Sequence, residues 1–110
     1  PYNETALKDA LGEGGALHRL GAGEDRRLVA FVTPRCPYCQ LARRKIDAMA
    51  ERHGLESGRV LYVEPADIGD RLFLDITYGT RPLLMLLDGD SVVATYHLRN
   101  INEKQVASFF

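Results

Sequence analysis

The sequence predicts an α/β fold, a central sheet of about four strands flanked by helices. Two observations lead there. Short apolar or β-branched runs at 28–33 (LVAFVT), 60–63 (VLYV), 83–87 (LLMLL) and 91–97 (SVVATYH) have the length of strands. Between and beyond them lie stretches whose apolar residues recur at helical spacing.

The elements follow in chain order. Asn3 is placed to cap a helix starting near Glu4, with Leu7, Ala10 and Leu11 on one face. Gly12, Gly14 and Gly15 interrupt it, a short helical stretch follows from Ala16 to Leu20, and Gly21-Ala22-Gly23 reads as a loop. Neither glycine cluster has phosphate-loop spacing. The strand from Leu28 to Thr33 is ended by Pro34. A helix is expected from Pro37, because proline suits a first turn. Its buried face carries Cys39, Ala42, Ile46, Met49, Ala50 and His53, and Gly54 stops it. Val60 to Val63 is the second strand, ended by Pro65. One helix, capped by Asp67 or Asp70, is expected to carry Ile68, Leu72, Phe73 and Ile76 and to end at Tyr78-Gly79. Pro82 opens the strand Leu83 to Leu87. Asp88-Gly89 reads as a two-residue hairpin turn into Ser91 to His97. Asn102 and Gln105 have capping-box spacing before a last helix with Val106, Phe109 and Phe110 inside.

At 110 residues the chain is expected to be one domain, 1–110, with a helical extension and loop over 1–26 and a core over 27–110. Hydrophobic residues at 45% and charged residues at 26% are an ordinary globular mixture. A net charge of −1 argues against nucleic acid or a membrane surface as a partner held by bulk charge. No apolar run approaches a membrane span, and no signal-peptide pattern is seen. The first residue is Pro1, as expected of a trimmed or excised chain.

The chemistry concentrates in TPRCPYCQLARRK at 33–45, which holds both cysteines of the chain. A disulfide across so short a loop adds little to fold stability. A structural zinc normally needs four protein ligands, and His18, His53 and His97 have no ligand spacing with the cysteines. A redox pair fits a strand-to-helix turn best. Cys36 then lies at a helix N-terminus, where a thiolate is stabilised, and Cys39 lies one turn in on the buried face. Cys36 is the expected nucleophile and Cys39 the resolving thiol.

From Leu28 to Phe110 the chain resembles the thioredoxin superfamily. The Cys36-Pro37-Tyr38-Cys39 tetrad (CPYC) is the one typical of glutaredoxins. Tyr78-Gly79, Pro82, the apolar strand, Asp88-Gly89 and the closing helix fall in the order of thioredoxins. The resemblance implies a thioredoxin-like fold with a central mixed β-sheet and thiol–disulfide exchange with protein substrates. It makes Pro82 a cis-proline facing the cysteines, and assigns substrate binding to Pro37, Tyr38, Arg81, Pro82, Arg35 and Arg99. Arg35, Arg81 and Arg99 would form a cationic rim around the exposed sulfur that favours anionic partners, with Arg35 also lowering the Cys36 pKa. No metal or organic cofactor is implied. The expected partners are disulfide- or dithiol-containing proteins and a redox partner, with the protein acting as a monomer.

The chain departs from these families at specific positions. Arg35 stands where thioredoxins usually carry Trp, and Ala30 where they carry a buried Asp. Glu64 stands near a position where thioredoxins keep a lysine, and is a candidate proton acceptor for Cys39. No glycine pair with an acidic residue follows Tyr96 to hold glutathione. A glutathione-dependent glutaredoxin-like reductase is the alternative enzyme, its tripeptide carboxylates held by the arginines. A redox-inactive thioredoxin-fold binding module, bridging an iron–sulfur cluster between two chains, is the alternative outside enzymes. The chain also resembles thioredoxin-like domains appended to DoxX-type bacterial membrane proteins, which favours the periplasm or a membrane tether over the cytoplasm.

Overall fold

The strand around which the molecule is organised is β1, Arg26–Phe31, in a computed structural model that describes all 110 residues. β2 (Val60–Val63) pairs with it in parallel, and β3 (Leu83–Asp88) pairs antiparallel on its other side. β4 (Ser91–Tyr96) lies antiparallel beyond β3, so the sheet is mixed, four-stranded and ordered β2-β1-β3-β4. The helices are α1 (Glu4–Leu11), α2 (Pro37–Arg52), α3 (Pro65–Ile68), α4 (Asp70–Thr77) and α5 (Glu103–Phe109).

Both faces of the sheet are covered, which is why the central strands read as continuous apolar runs rather than as alternating ones. Side chains of alternating residues point to opposite faces. Val29, Phe31, Leu83, Met85 and Leu87 meet Leu7 and Leu11 of α1, Leu17, and Phe73 and Ile76 of α4. Leu28, Ala30, Val32, Leu84 and Leu86 meet Cys39, Ile46 and Met49 of α2 and Val106 of α5. Each fully buried Leu, Ile or Phe contributes on the order of 1.5–3 kcal/mol of transfer free energy. The first 25 residues share in this: the Asn3 amide donates to the Ile76 carbonyl at 2.9 Å, tying α1 to α4. Asn3 caps α1 as expected, its Oδ1 accepting from the Ala6 amide at 3.0 Å.

Several elements differ from the sequence reading in detail. β1 begins at Arg26 because its pairing with Asp88 extends the β1–β3 ladder, and ladder pairing ends at Phe31. The stretch after Leu17 is a short 3-10 turn, His18–Leu20. The single helix expected over 68–76 is two, broken at Gly69, whose φ of 91° no helix accommodates. Asp67 lies inside α3, where its carboxylate accepts from the Glu64 amide at 2.7 Å, and Asp70 opens α4.

The hairpin turn is Gly89-Asp90, not Asp88-Gly89, because Asp88 still pairs with Ser91. Gly89 supplies the positive φ of 63°. β4 stops at Tyr96; the His97 amide turns instead to Asn100 Oδ1 at 2.7 Å. Only half of the capping box at α5 forms. Asn102 Oδ1 accepts from the Gln105 amide at 3.0 Å, while the Gln105 side chain accepts from the Tyr96 hydroxyl. Phe109 and Phe110 are partly buried, packing ring edge to ring face. His53 does not join the buried face of α2. It sits at the helix C-cap, exposed, with Nε2 2.7 Å from Glu103 Oε2.

Candidate active site

The cysteines sit where β1 hands over to α2. After Phe31 the Val32 amide still reaches the Val63 carbonyl at 3.0 Å, and then the chain leaves the sheet. Pro34 cannot extend a ladder, and the Cys36 amide closes a turn onto the Thr33 carbonyl at 3.4 Å. Cys36 is the N-cap of α2 in an extended conformation (φ −90°, ψ 116°), with Pro37 as the first helical residue. No capping side chain satisfies the first-turn amides, so they are open to the Cys36 sulfur.

The two thiols are unlike in their surroundings. Cys36 is partly exposed and Cys39 is 2% exposed on the core side of the helix. Partial burial opposes ionisation of Cys36. Hydrogen bonds from the Cys39 thiol and from the Cys39 and Tyr38 amides, with the charge of Arg81, outweigh it and hold the Cys36 thiol below the ordinary cysteine range. Burial pushes the Cys39 thiol up, and its interaction with Cys36 adds to that. Donors from Thr33 offset only part.

Arg81 and Pro82 reach the site through sheet register. Phe31 pairs with Leu83, so the residues just before Leu83 run beside those just after Phe31. Pro82 is buried there and Arg81 is exposed, joined by a cis peptide. Tyr38, 59% exposed, and Arg35 flank Cys36 in the turn. The charge that acts on Cys36 is that of Arg81. Arg99 is exposed in the turn after β4, where its amide donates to a His97 ring nitrogen at 3.3 Å.

Behind Cys39 opens a cleft of about 260 Å³ lined by Val32, Thr33, Pro34, Cys39, Gln40, Arg43 and Glu64. The Thr33 amide donates to the Cys39 sulfur at 3.4 Å, and its hydroxyl lies 3.9 Å away. Glu64 lines the cleft, but its carboxylate faces the Arg43 guanidinium at 3.5 Å. Arg43 in turn stacks 4.0 Å from the centre of the Tyr62 ring. The groups that act on the Cys39 thiol are burial, Thr33 and Cys36. Ala30 is fully buried between Tyr62 and Leu84, so that position places no carboxylate beneath the sulfur pair. No group of three or more His, Cys, Asp or Glu side chains is placed to hold a metal ion.

Of the residues singled out in sequence, Cys36, Cys39, Pro37, Tyr38, Arg35, Arg81 and Pro82 lie at one end of the sheet. Glu64 lines the cleft on the Cys39 side. Thr33 was read only as the last residue of a strand. Its place six residues before Cys39, at the strand exit, was the available signal.

No protein-family profile and no curated protein sequence matches the chain. Solved structures match in shape. The chain is similar to thioredoxin-2 of the malaria parasite, a component of its protein secretion machinery. The two share 13% identity and a TM-score of 0.54, over 76% of this chain and 79% of that one. It is similar to a structure of the first two thioredoxin domains of Saccharomyces cerevisiae Eps1p, at 17% identity and a TM-score of 0.59. That match covers 99% of this chain and 38% of the other. At such identities the likeness is one of fold. Four strands in a mixed sheet, flanked by helices and with a CxxC pair opening α2, make this the thioredoxin fold.

Proposed function

We propose that the protein is a thiol–disulfide oxidoreductase acting on protein substrates through the Cys36–Cys39 dithiol. The observation that carries this reading is the opposed setting of the two sulfurs. Cys36 is partly exposed with its thiol pushed down, and Cys39 is buried one turn away with its thiol pushed up. The first favours an attacking thiolate at neutral pH, and the second keeps the resolving thiol protonated until a mixed disulfide is beside it.

The reaction balances as two exchanges. The Cys36 thiolate attacks one sulfur of a substrate disulfide, that S–S bond breaks, and the departing thiolate takes up a proton. Cys39 then loses its proton and attacks the Cys36 sulfur. The mixed disulfide breaks, the second substrate sulfur leaves as a thiol, and a Cys36–Cys39 disulfide forms. The substrate gains two electrons that the dithiol gives up, and an external dithiol or thiol partner restores the reduced pair. The reverse sequence oxidises a substrate dithiol. Tyr38 and the Arg81-Pro82 segment flank Cys36 and are the surfaces against which a substrate would lie. The resemblance to domains appended to bacterial membrane proteins supports a periplasmic or membrane-tethered setting. No helix of the chain is itself long and apolar enough to cross a membrane.

Turnover of an insulin-type disulfide with dithiothreitol as reductant tests the reading. The wild type should catalyse it, Cys36→Ser should abolish it, and Cys39→Ser should accumulate a mixed disulfide on Cys36. Full activity in Cys36→Ser, or none in the wild type, would sink it.

A further inference from the structure

Resting on that function, we infer that Arg81 and Arg35 make Cys36 selective for disulfides flanked by acidic residues. Two independent pieces of backbone bring these residues to the same end of the sheet. Arg35 directly precedes the N-cap cysteine of α2. Arg81 arrives from another strand, because the pairing of Phe31 with Leu83 lays the residues before β3 alongside the turn that leaves β1. Both side chains are exposed.

Neither guanidinium is committed within the fold. Arg26, Arg27, Arg43, Arg52 and Arg71 each face a carboxylate, whereas Arg35 and Arg81 have none within ion-pair distance and make no side-chain hydrogen bond. The carboxylate lining the cleft behind Cys39, Glu64, is taken by Arg43. With a net charge of −1 on the whole chain, the positive character here is local.

The sign of the local field follows from counting charges. Two guanidiniums against one Cys36 thiolate leave the approach net positive even when the nucleophile is ionised. A carboxylate next to a substrate cystine then meets a planar donor fork suited to bidentate pairing. A lysine next to the cystine meets like charge as it docks. Such fields act chiefly on encounter, so the discrimination belongs in the second-order rate and weakens with salt.

The test uses three short peptides with one cysteine each, linked as a disulfide to thionitrobenzoate and flanked by Glu, Ser or Lys. Attack of the Cys36 thiolate joins the peptide sulfur to the protein and releases one coloured thiolate. In the Cys39→Ser background this stops after one event and reads Cys36 alone. Reaction with neutral iodoacetamide, measured in parallel, divides out any change in the reactivity of Cys36 itself.

The Glu-flanked peptide should react about tenfold faster than the Lys-flanked one at low ionic strength. The ratio should shrink towards unity near ~1 M salt, where screening extends only about 3 Å. Arg81→Gln and Arg35→Gln should each lower the ratio by about threefold, Arg81→Lys should keep most of it, and Lys104→Gln on α5 should leave it unchanged. A wild-type ratio within about twofold of unity, or one untouched in the Arg35→Gln/Arg81→Gln double variant, overturns the inference. Turnover of insulin disulfides is a separate readout. Its absence, with the charge ratio intact, overturns the catalytic reading and leaves the selectivity of Cys36 standing.

Discussion

The Thr33 amide donates a hydrogen bond to the Cys39 sulfur at 3.4 Å, with the Thr33 hydroxyl 3.9 Å from the same atom. The strand exit thus serves the buried sulfur while the first-turn amides of α2 serve the exposed one. Each cysteine has its own set of donors. In the proposed exchange that division matters, because there Cys39 must ionise, against its burial, at the moment a mixed disulfide on Cys36 is resolved.

Thr33→Val keeps a β-branched side chain and the backbone donor but removes the hydroxyl. Losing one hydrogen-bonding group worth about 0.5–1.5 kcal/mol should slow resolution of the mixed disulfide by about two- to tenfold. Alkylation of Cys36 should be unchanged. Quenched-flow analysis of mixed-disulfide decay against iodoacetamide labelling of the resting dithiol separates these two steps. Equal slowing of both would mean that Thr33 supports the turn as a whole rather than Cys39.

Labelling of the reduced protein at neutral pH should modify Cys36 before Cys39 by at least about tenfold. The expectation follows from thiolate fraction and access together: one sulfur is partly exposed with its ionisation favoured, the other 2% exposed with it opposed. Peptide mapping after limiting iodoacetamide reads the order directly, and comparable rates at the two positions contradict the assignment of nucleophile and resolver.

The core strands and the position of the cysteine pair were legible in sequence because they rest on local pattern. LVAFVT and LLMLL have strand length and strand composition, and Pro37 marks a helix start wherever the rest of the chain lies. What was not legible depends on register or on backbone groups. The hairpin turn moved by one residue because Asp88 stays paired with Ser91. The helix over 68–76 divides because Gly69 takes a positive φ, which composition alone does not reveal. Thr33 acts on Cys39 first through its amide, which every residue but proline carries. The resemblance places Arg81 at the rim of the exposed sulfur, but local pattern alone does not bring its charge to Cys36, because that depends on the non-local pairing of β3 antiparallel beside β1. His53 had helical spacing for the buried face, but at the C-cap it turns out to Glu103.

Glu103 ties the last turn of α2 to the first turn of α5. Its carboxylate takes Arg52 Nη2 at 2.7 Å and Nε at 3.2 Å, with His53 Nε2 at 2.7 Å. The Arg52 fork, and then His53, hold it well below the usual 4.5, at about 2. A carboxylate with a depressed folded pKa stabilises the fold fully above its unfolded value and loses that contribution as pH falls through its folded value. Glu103→Gln should therefore melt slightly below the wild type at neutral pH. The gap should close between about pH 4.5 and about pH 2. The pair is solvent-exposed, so the difference is small. A gap that persists at pH 2 would assign the effect to packing or helix capping instead.

The redox poise follows from which thiol titrates near neutral pH. Stabilising the Cys36 thiolate stabilises the reduced dithiol, and a stabilised reduced form makes the disulfide a stronger oxidant. The raised Cys39 does not cancel this, because at neutral pH it is the uncharged thiol that is buried. Ala30 adds no carboxylate at its buried position to oppose ionisation. The expected potential is less negative than the roughly −270 mV of thioredoxin, in a range of about −230 to −160 mV. Its pH slope should halve, from about 59 to about 30 mV per unit, on crossing the Cys36 pKa, as one proton fewer accompanies the two electrons. Arg81→Gln should move that break to higher pH and the potential to more negative values, since it removes the charge that favours the thiolate. Equilibration against glutathione buffers from about pH 5 to 9 measures both quantities. A wild-type potential at or below about −270 mV, with the slope break in the range of an unactivated thiol, would identify a reductant and overturn the oxidising poise.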